Sequence, residues 1–414
     1  MQINVVGGCY KELCDWPSHN QTLGSAGRAC KVLSSLKRSD EGGVTLEVCL
    51  HSLLNESDID PVKSTFFMDE ISCEFTPAEN TYAFYYFHPL SKPEIYPNIL
   101  KSGDFCVDAD SPSVHALVFG MIEANPVVTG HGKVVYDPQD SKNPKLYKEL
   151  KGNFGSLVII LNSNEAKLLY ERVEGKKEVD VRILAEWLLN EEGAYAVVIK
   201  SGTKGAFCYS SIDKISKWIS PFITKNVFPI GSGDIFSSSF TYFWACKELS
   251  LIEAVVNASA STAFYCDSSA YPMRMDVKQY SSLPCLQQST EPLNVYLAGP
   301  FFSLSQMWMI NETRIHLQNA GFDVFSPYHD VGIGSAEKVV EKDIQGIEEC
   351  DVLYAIFDGR DPGTLFEVGY AIKAGKKVVI FAEDSTSEEL KMYEGTGCFI
   401  YKDFTSSIYA VSWV

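Results

Sequence analysis

The chain has 414 residues, 46% of them hydrophobic and 21% charged, with a formal net charge of −18. This composition and length predict a globular protein of two or three domains. A surface so acidic repels phosphate backbones and anionic bilayers, so no nucleic acid and no membrane is expected as partner. Small anionic substrates stay open, because glycine loops and helix N-termini offset a global field locally.

The opening MQINVVGG reads as strand and turn, without the basic start or apolar core of an export signal. No window approaches the roughly eighteen apolar residues of a membrane span. Twelve cysteines are dispersed, with no CxxC pair and no zinc-like spacing against histidine. They are expected to be mostly buried small hydrophobes in a reducing, cytoplasmic setting.

Buried-strand runs follow at 4–8, 114–120, 132–138, 156–162 and 195–202. Residues 66–90 alternate like an antiparallel hairpin or flap, so the first part predicts an α/β body with a β-lid. Next comes PIGSGDIFSSSFTYFWA, 229–245, where Gly231, Ser232 and Gly233 precede Asp234 and an apolar helical pattern. Uncovered backbone N–H groups and a helix N-terminus suit the oxygens of a phosphoryl group, and a carboxylate at the lip can accept a hydroxyl proton. A glycine turn with an Asp cap reads equally well from these residues alone.

A polar stretch with two prolines, SLPCLQQSTEPL at 282–293, separates this part from the next. The expected division is a first domain over 1–285, a linker at 286–293 and a second domain over 294–414. In the latter, strand patterns at 294–298, 322–326, 351–357 and 377–382 alternate with helical patterns at 305–320, 335–349 and 364–375. Such alternation predicts a parallel sheet with ligands beyond the carboxyl ends of its strands. Asp358, Asp361 and Glu367 crowd round a Pro-Gly turn at one such end, with Thr364 as expected helix cap and Glu367 in the first turn. Paired carboxylates of this kind can stabilise an oxocarbenium-like sugar carbon, one attacking it and another assisting the leaving group. Turn-forming aspartates and a dipole-complementing glutamate explain each residue singly. Trp308 and its apolar neighbours read as helix core.

The first domain resembles the PfkB/ribokinase family of sugar and nucleoside kinases. LGSAGRACKVLSSL (23–36) is similar to the family's glycine motif near the substrate sugar, with Gly24 and Arg28. LNSNEAKLL (161–169) resembles its N-x-x-E element, with Asn162 and Glu165, and VVIKSGTKGA (197–206) its loop beside ATP, with Lys200, Gly202 and Gly205. IGSGD resembles its anion hole and base. The resemblance implies a ribokinase-like fold, ATP and Mg²⁺ as cofactors, Glu165 acting on the metal indirectly through Mg-ATP, and Asp234 as general base. Phe228, Pro229 and Ile230 stand where the family often has Asp-Thr-Thr, and Glu12 or Asp15 stands in for its hydroxyl-gripping aspartate.

The second domain resembles the nucleoside 2-deoxyribosyltransferase family. VYLAGPFF (295–302), Asp343 and CDVLYAIFDGRDPGTLFEVGYAIKAGK carry the likeness, including the six-residue step from Asp361 to Glu367. It implies a flavodoxin/Rossmann-like parallel-sheet fold, Glu367 as nucleophile, Tyr296 near the reacting centre, and Asp343 and Asp361 holding substrate or delivering a proton. Gly299, Ser303 and Asp358 are expected at the substrate, and Ser303, Ser305 and Arg360 are candidates for a 5′-phosphate. It also implies a homo-oligomer, a dimer or larger, whose neighbouring subunit completes the pocket. The combined expectation is a bifunctional enzyme of nucleosides, nucleotides or sugars. It would phosphorylate a sugar or nucleoside hydroxyl with ATP and cleave or exchange an N-glycosidic bond. The alternatives are a nucleotide-sensing kinase-like half that gates a glycosidase, and a non-catalytic C-terminal nucleotide sensor serving a kinase.

Overall fold

Long runs of Val, Ile and Leu with few breaks produce strands buried on both faces, and these strands set the architecture. A computed structural model describes residues 1–40, 42, 45–98, 103–176, 179–286, 292–332, 334–359 and 361–414. The chain divides into two compact units, Met1–Thr224 with Phe228–Leu286, and Lys225–Val227 with Gln287–Val414. Among the described residues, no helix is long and apolar enough to cross a membrane.

The first unit is built on a nine-stranded sheet. Its spatial order is Ile215–Ile219, Ala206–Ser210, Ala196–Lys200, Ser156–Asn162, Lys133–Asp137, Val114–Phe119, Gln2–Val6, Glu47–Asn55 and Ile71–Ala78. The last seven run parallel, and the first two add an antiparallel edge. Alternate residues feed two cores, Ile3, Val5, Leu117 and Val135 on one face and Val6, Val118, Val134 and Tyr136 on the other. This is the expected α/β body.

The lid differs from expectation. Ile71–Ala78 belongs to the main sheet, parallel to Glu47–Asn55, and not to a hairpin over 66–90. The lid is a four-stranded sheet in the order His19–Thr22, Lys11–Cys14, Ala83–Tyr86 and Glu94–Tyr96. Its middle pair is parallel, so the two lid segments come from separate parts of the sequence. Sequence alternation marks a half-buried strand without naming its partner.

The second unit is a five-stranded parallel sheet in the order Asp323–Phe325, Asn294–Ala298, Val352–Ile356, Lys377–Phe381 and Phe399–Tyr401. The chain order 2-1-3-4-5 is the flavodoxin-like winding expected. Its order reverses between Asn294–Ala298 and Val352–Ile356, and a crevice beyond their carboxyl ends follows from that reversal. Arg360 and most of the expected linker, 287–291, lie outside the described residues.

Buried carboxylates also hold the scaffold. Glu192 accepts from the backbone N–H groups of Tyr147 (2.7 Å) and Lys148 (3.0 Å), the start of a short helix left without intrahelical acceptors. Glu192→Ala therefore strands one buried and one part-buried donor and is expected to cost about 2–4 kcal/mol. The exposed neighbour pair Glu191–Lys148 predicts a loss below about 1 kcal/mol for Glu191→Ala. Equal losses in denaturant titrations of the two variants would contradict this assignment.

Candidate functional site

Each unit carries a cluster of buried charge at the carboxyl ends of its strands. In the second unit, Tyr296 lies inside the first strand, fully buried and stacked on Phe325 with ring centroids 5.5 Å apart. Its hydroxyl donates to Glu367 Oε1 at 2.8 Å. Glu367 comes from the helix Pro362–Lys373, which starts earlier than expected. Asp361, not Thr364, is the cap: its Oδ2 accepts from the Thr364 N–H at 2.7 Å and the Thr364 hydroxyl at 3.0 Å. Proline at the first helical position favours that start. Glu367 therefore falls in the second turn, where complementing the helix dipole does not explain it.

Burial raises the Glu367 pKa to about 7. The Tyr296 hydrogen bond pulls it back, and the charges of Asp343 and Asp361 add to the rise. Asp343, from the helix Ala336–Glu349, is also raised by burial, and its Oδ1 is buried without a partner among the described residues. Burial and the Glu367 charge push the Tyr296 phenol up, so it stays a donor. These four expected residues meet. Asp358 is exposed on the loop. Ser303 caps the helix Leu304–Asn319, accepting from Gln306 N–H and pairing with Ser305 at 3.0 Å. Gly299 is fixed by packing, since a Cβ there would lie 2.9 Å from Ile310. Trp308, expected in the core, is 42% exposed.

In the first unit, Arg28 is fully buried on the helix Gly24–Arg38. It donates to Glu12 on the lid strand and to Asp234 in the first turn of Ser232–Thr241. Burial alone would push the Arg28 pKa down; the charges of Glu12, Tyr265 and Asp234 reverse this, so it remains a cation. Burial raises the Glu12 carboxyl despite the arginine. The other Asp234 oxygen accepts from Gln139, which in turn accepts from Ser25. Removing one member of so buried a pair costs about 3–5 kcal/mol.

Gly231 has φ +79°, and a Cβ there would lie 2.3 Å from Arg28 Cζ. Two of the loop amides are already used, Ser232 N–H on Pro229 and Asp234 N–H on Gly231, both at 3.0 Å. Beside Gly233 stands Lys200, whose Nζ pairs with Asp137 at 2.5 Å, and Ser237 donates to the same oxygen at 2.7 Å. Asp137 Oδ1 is buried without a partner among the described residues, and burial raises this carboxyl. Asn162 and Glu165 form a reciprocal cap on Ser163–Glu174, with both bonds at 2.9 Å. Burial and the Asp137 charge lift Glu165 to about 7.

Sequence reasoning missed Asp137, Gln139 and Ser237. Asp137 had a signal, a carboxylate at the end of the strand pattern GKVVYDP. Asp15 is not brought to the cluster: it is exposed and bonded to Tyr85. Gly24 serves close packing, a Cβ there falling 2.5 Å from Gly8 O, and Gly205 likewise lies under Ile219 O. Gly202 turns the chain at φ +55° with open space around it. Cys49 and His51 on the strand Glu47–Asn55 and Glu74 on the strand beside it also bring ligand atoms within 4.8 Å of one another, a grouping made by strand pairing.

Residues 99–271 match the pfkB family carbohydrate kinase signature, and residues 295–399 match that of nucleoside 2-deoxyribosyltransferase. The two matches follow one another along the chain without overlap. An uncharacterized protein of Ureaplasma parvum is 29% identical over 103 residues, which cover 22% of this chain and 65% of that relative's length. Among solved structures, ribokinase from Thermotoga maritima is similar at 15% identity and TM-score 0.45, covering 67% of this chain and 98% of its own. Fructokinase from Vibrio cholerae, with fructose, ADP and calcium, has 12% identity and TM-score 0.48, over 68% and 99%. A ribokinase II from Escherichia coli, with ATP and Mg²⁺, has 15% identity and TM-score 0.46, over 67% and 98%.

The raised Glu367 pKa has a stability consequence. Folding favours its protonated form, so its contribution is intact below the ordinary value of 4.5 and is lost as pH climbs through about 7. Glu367→Gln is expected to leave stability unchanged near pH 4 and to raise it at pH 8 by about 1–3 kcal/mol. Thermal melts across that range check it; a pH-independent difference contradicts it.

Proposed function

We propose that the C-terminal unit breaks the N-glycosidic bond of a nucleoside or nucleotide through Glu367. The observation that carries this is a half-buried carboxylate, ionising near neutrality, hydrogen-bonded to Tyr296 and flanked by Asp343 and Asp361. In its ionised form Glu367 attacks the anomeric carbon. The C–N pair leaves with the base, which takes up a proton by way of Asp343, the carboxyl beside Glu367. Tyr296 holds the nucleophilic carboxylate in place. Water or an incoming base then displaces the sugar from Glu367, giving hydrolysis or exchange. Asp361 acts through the helix start it caps.

For the N-terminal unit, the orphaned Asp137 oxygen with Glu165 fits Mg²⁺, and Lys200 fits the phosphates of a nucleotide. Bound Mg²⁺ would neutralise phosphate charge there. Were the unit to phosphorylate a sugar or nucleoside hydroxyl, Asp234 would be its base. A second role for the nucleotide, as a signal, is favoured by the Arg28 ion pair on that same carboxylate.

Incubation with a panel of nucleosides and nucleotides, with and without Mg-ATP, reads free bases and new phosphates in one chromatogram. Base release is expected to rise with pH through about 7 as Glu367 ionises, and to fall by about a hundredfold or more in Glu367→Ala. Tyr296→Phe removes the bond that favours the ionised form, moving the acid limb to higher pH. Base release that survives in Glu367→Ala overturns the proposal.

A further inference from the structure

The geometry points to Arg28 as a built-in occupant of the acceptor subsite, making the N-terminal unit a nucleotide-binding module that does not phosphorylate neutral hydroxyls. This rests on the nucleotide reading above.

Three contacts define the occupancy. One Arg28 nitrogen is held by Glu12 of the lid, and another by Asp234. The guanidinium lies against Gly231, where any Cβ would overlap its Cζ and Nε at 2.3 Å. It therefore sits between the glycine loop and the carboxylate, where an attacking hydroxyl would have to approach both. Asp234 is engaged on both oxygens, since Gln139 takes the second. Gln139 is itself braced by Ser25, and Ser25 by Tyr10 at 2.7 Å. Tyr265 fixes the loop, donating to Ile230 O at 2.8 Å.

A base must hydrogen-bond the proton it removes. At Asp234 those directions face a guanidinium and an amide. A neutral sugar or nucleoside that displaced Arg28 would leave two carboxylates and a cation without partners in a dry pocket, and its hydroxyls replace none of the charge. Among the described residues, the neighbouring cluster of Lys200, Asp137 and Ser237 shares no hydrogen bond with this clamp and keeps an unpaired carboxylate oxygen. The unit thus retains a place for phosphates and metal while its acceptor place is filled by its own side chain. Asp234 serves as a counter-ion there and not as a base.

Removing Arg28 risks the fold, so the test uses the full natural chain. Calorimetry with Mg-ADP reads binding, transfer from γ-labelled ATP to a panel of neutral sugars and nucleosides reads kinase chemistry, and phenylglyoxal labelling mapped by peptide mass spectrometry reads access to Arg28. The expected result is saturable Mg-ADP binding, no acceptor-dependent transfer, and Arg28 unlabelled with or without ligands. Acceptor-dependent transfer that Asp234→Asn lowers by about a hundredfold overturns the proposal. So does labelling of Arg28 once an acceptor is added. Absent Mg-ADP binding with Arg28 still protected refutes the nucleotide reading alone and supports the filled acceptor place.

Discussion

Removal of water from carboxylates is the constraint on which both units depend. A carboxylate taken out of water must find a cation, find donors, or accept a proton. Among the described residues Glu367 has one donor, Tyr296 at 2.8 Å, beside Asp343 and Asp361, so it ionises near neutrality. Asp234 has a guanidinium and an amide. The same functional group near a helix start is thereby directed to different ends, a poised group in one unit and a locked one in the other.

The folds position these groups by ordinary means. In the second unit the reversal of strand order opens a crevice, the first strand delivers Tyr296 and the helix after the third strand delivers Glu367. Proline and an Asp cap fix the helix start, which sets Glu367 on the turn that faces Tyr296. In the first unit, a glycine with a left-handed backbone lets the guanidinium approach the loop. A side chain at Gly231 would have to expel Arg28. Loop and clamp are mutually adjusted.

Much of this was legible in the sequence. Parallel sheets write themselves as apolar runs, so four of the five strands in the sheet of the second unit and five of the nine in the main sheet of the first match within a residue or two. The six-residue step from Asp361 to Glu367 located the second cluster. What stayed hidden was pairing. The strand Ile71–Ala78 alternates like a flap strand, yet it extends the main sheet, because the choice of partner is tertiary. Thr364 and Asp361 are both good caps by type, and the helix took the one followed by proline. Arg28 was read as a sugar contact from its place in a glycine motif. Only three-dimensional proximity revealed that its partners are Glu12 and Asp234.

The central claim, that the Glu367 carboxylate bonds to a sugar carbon, is tested most directly by trapping. A 2-fluoro-arabinosyl nucleoside slows the breakdown of a glycosyl ester by withdrawing electrons from the anomeric carbon. Intact-protein mass spectrometry is predicted to show one added fluoroglycosyl group, with the base released, and peptide mapping to locate it on Glu367. Base release with no adduct, or an adduct on any other side chain, would contradict the account.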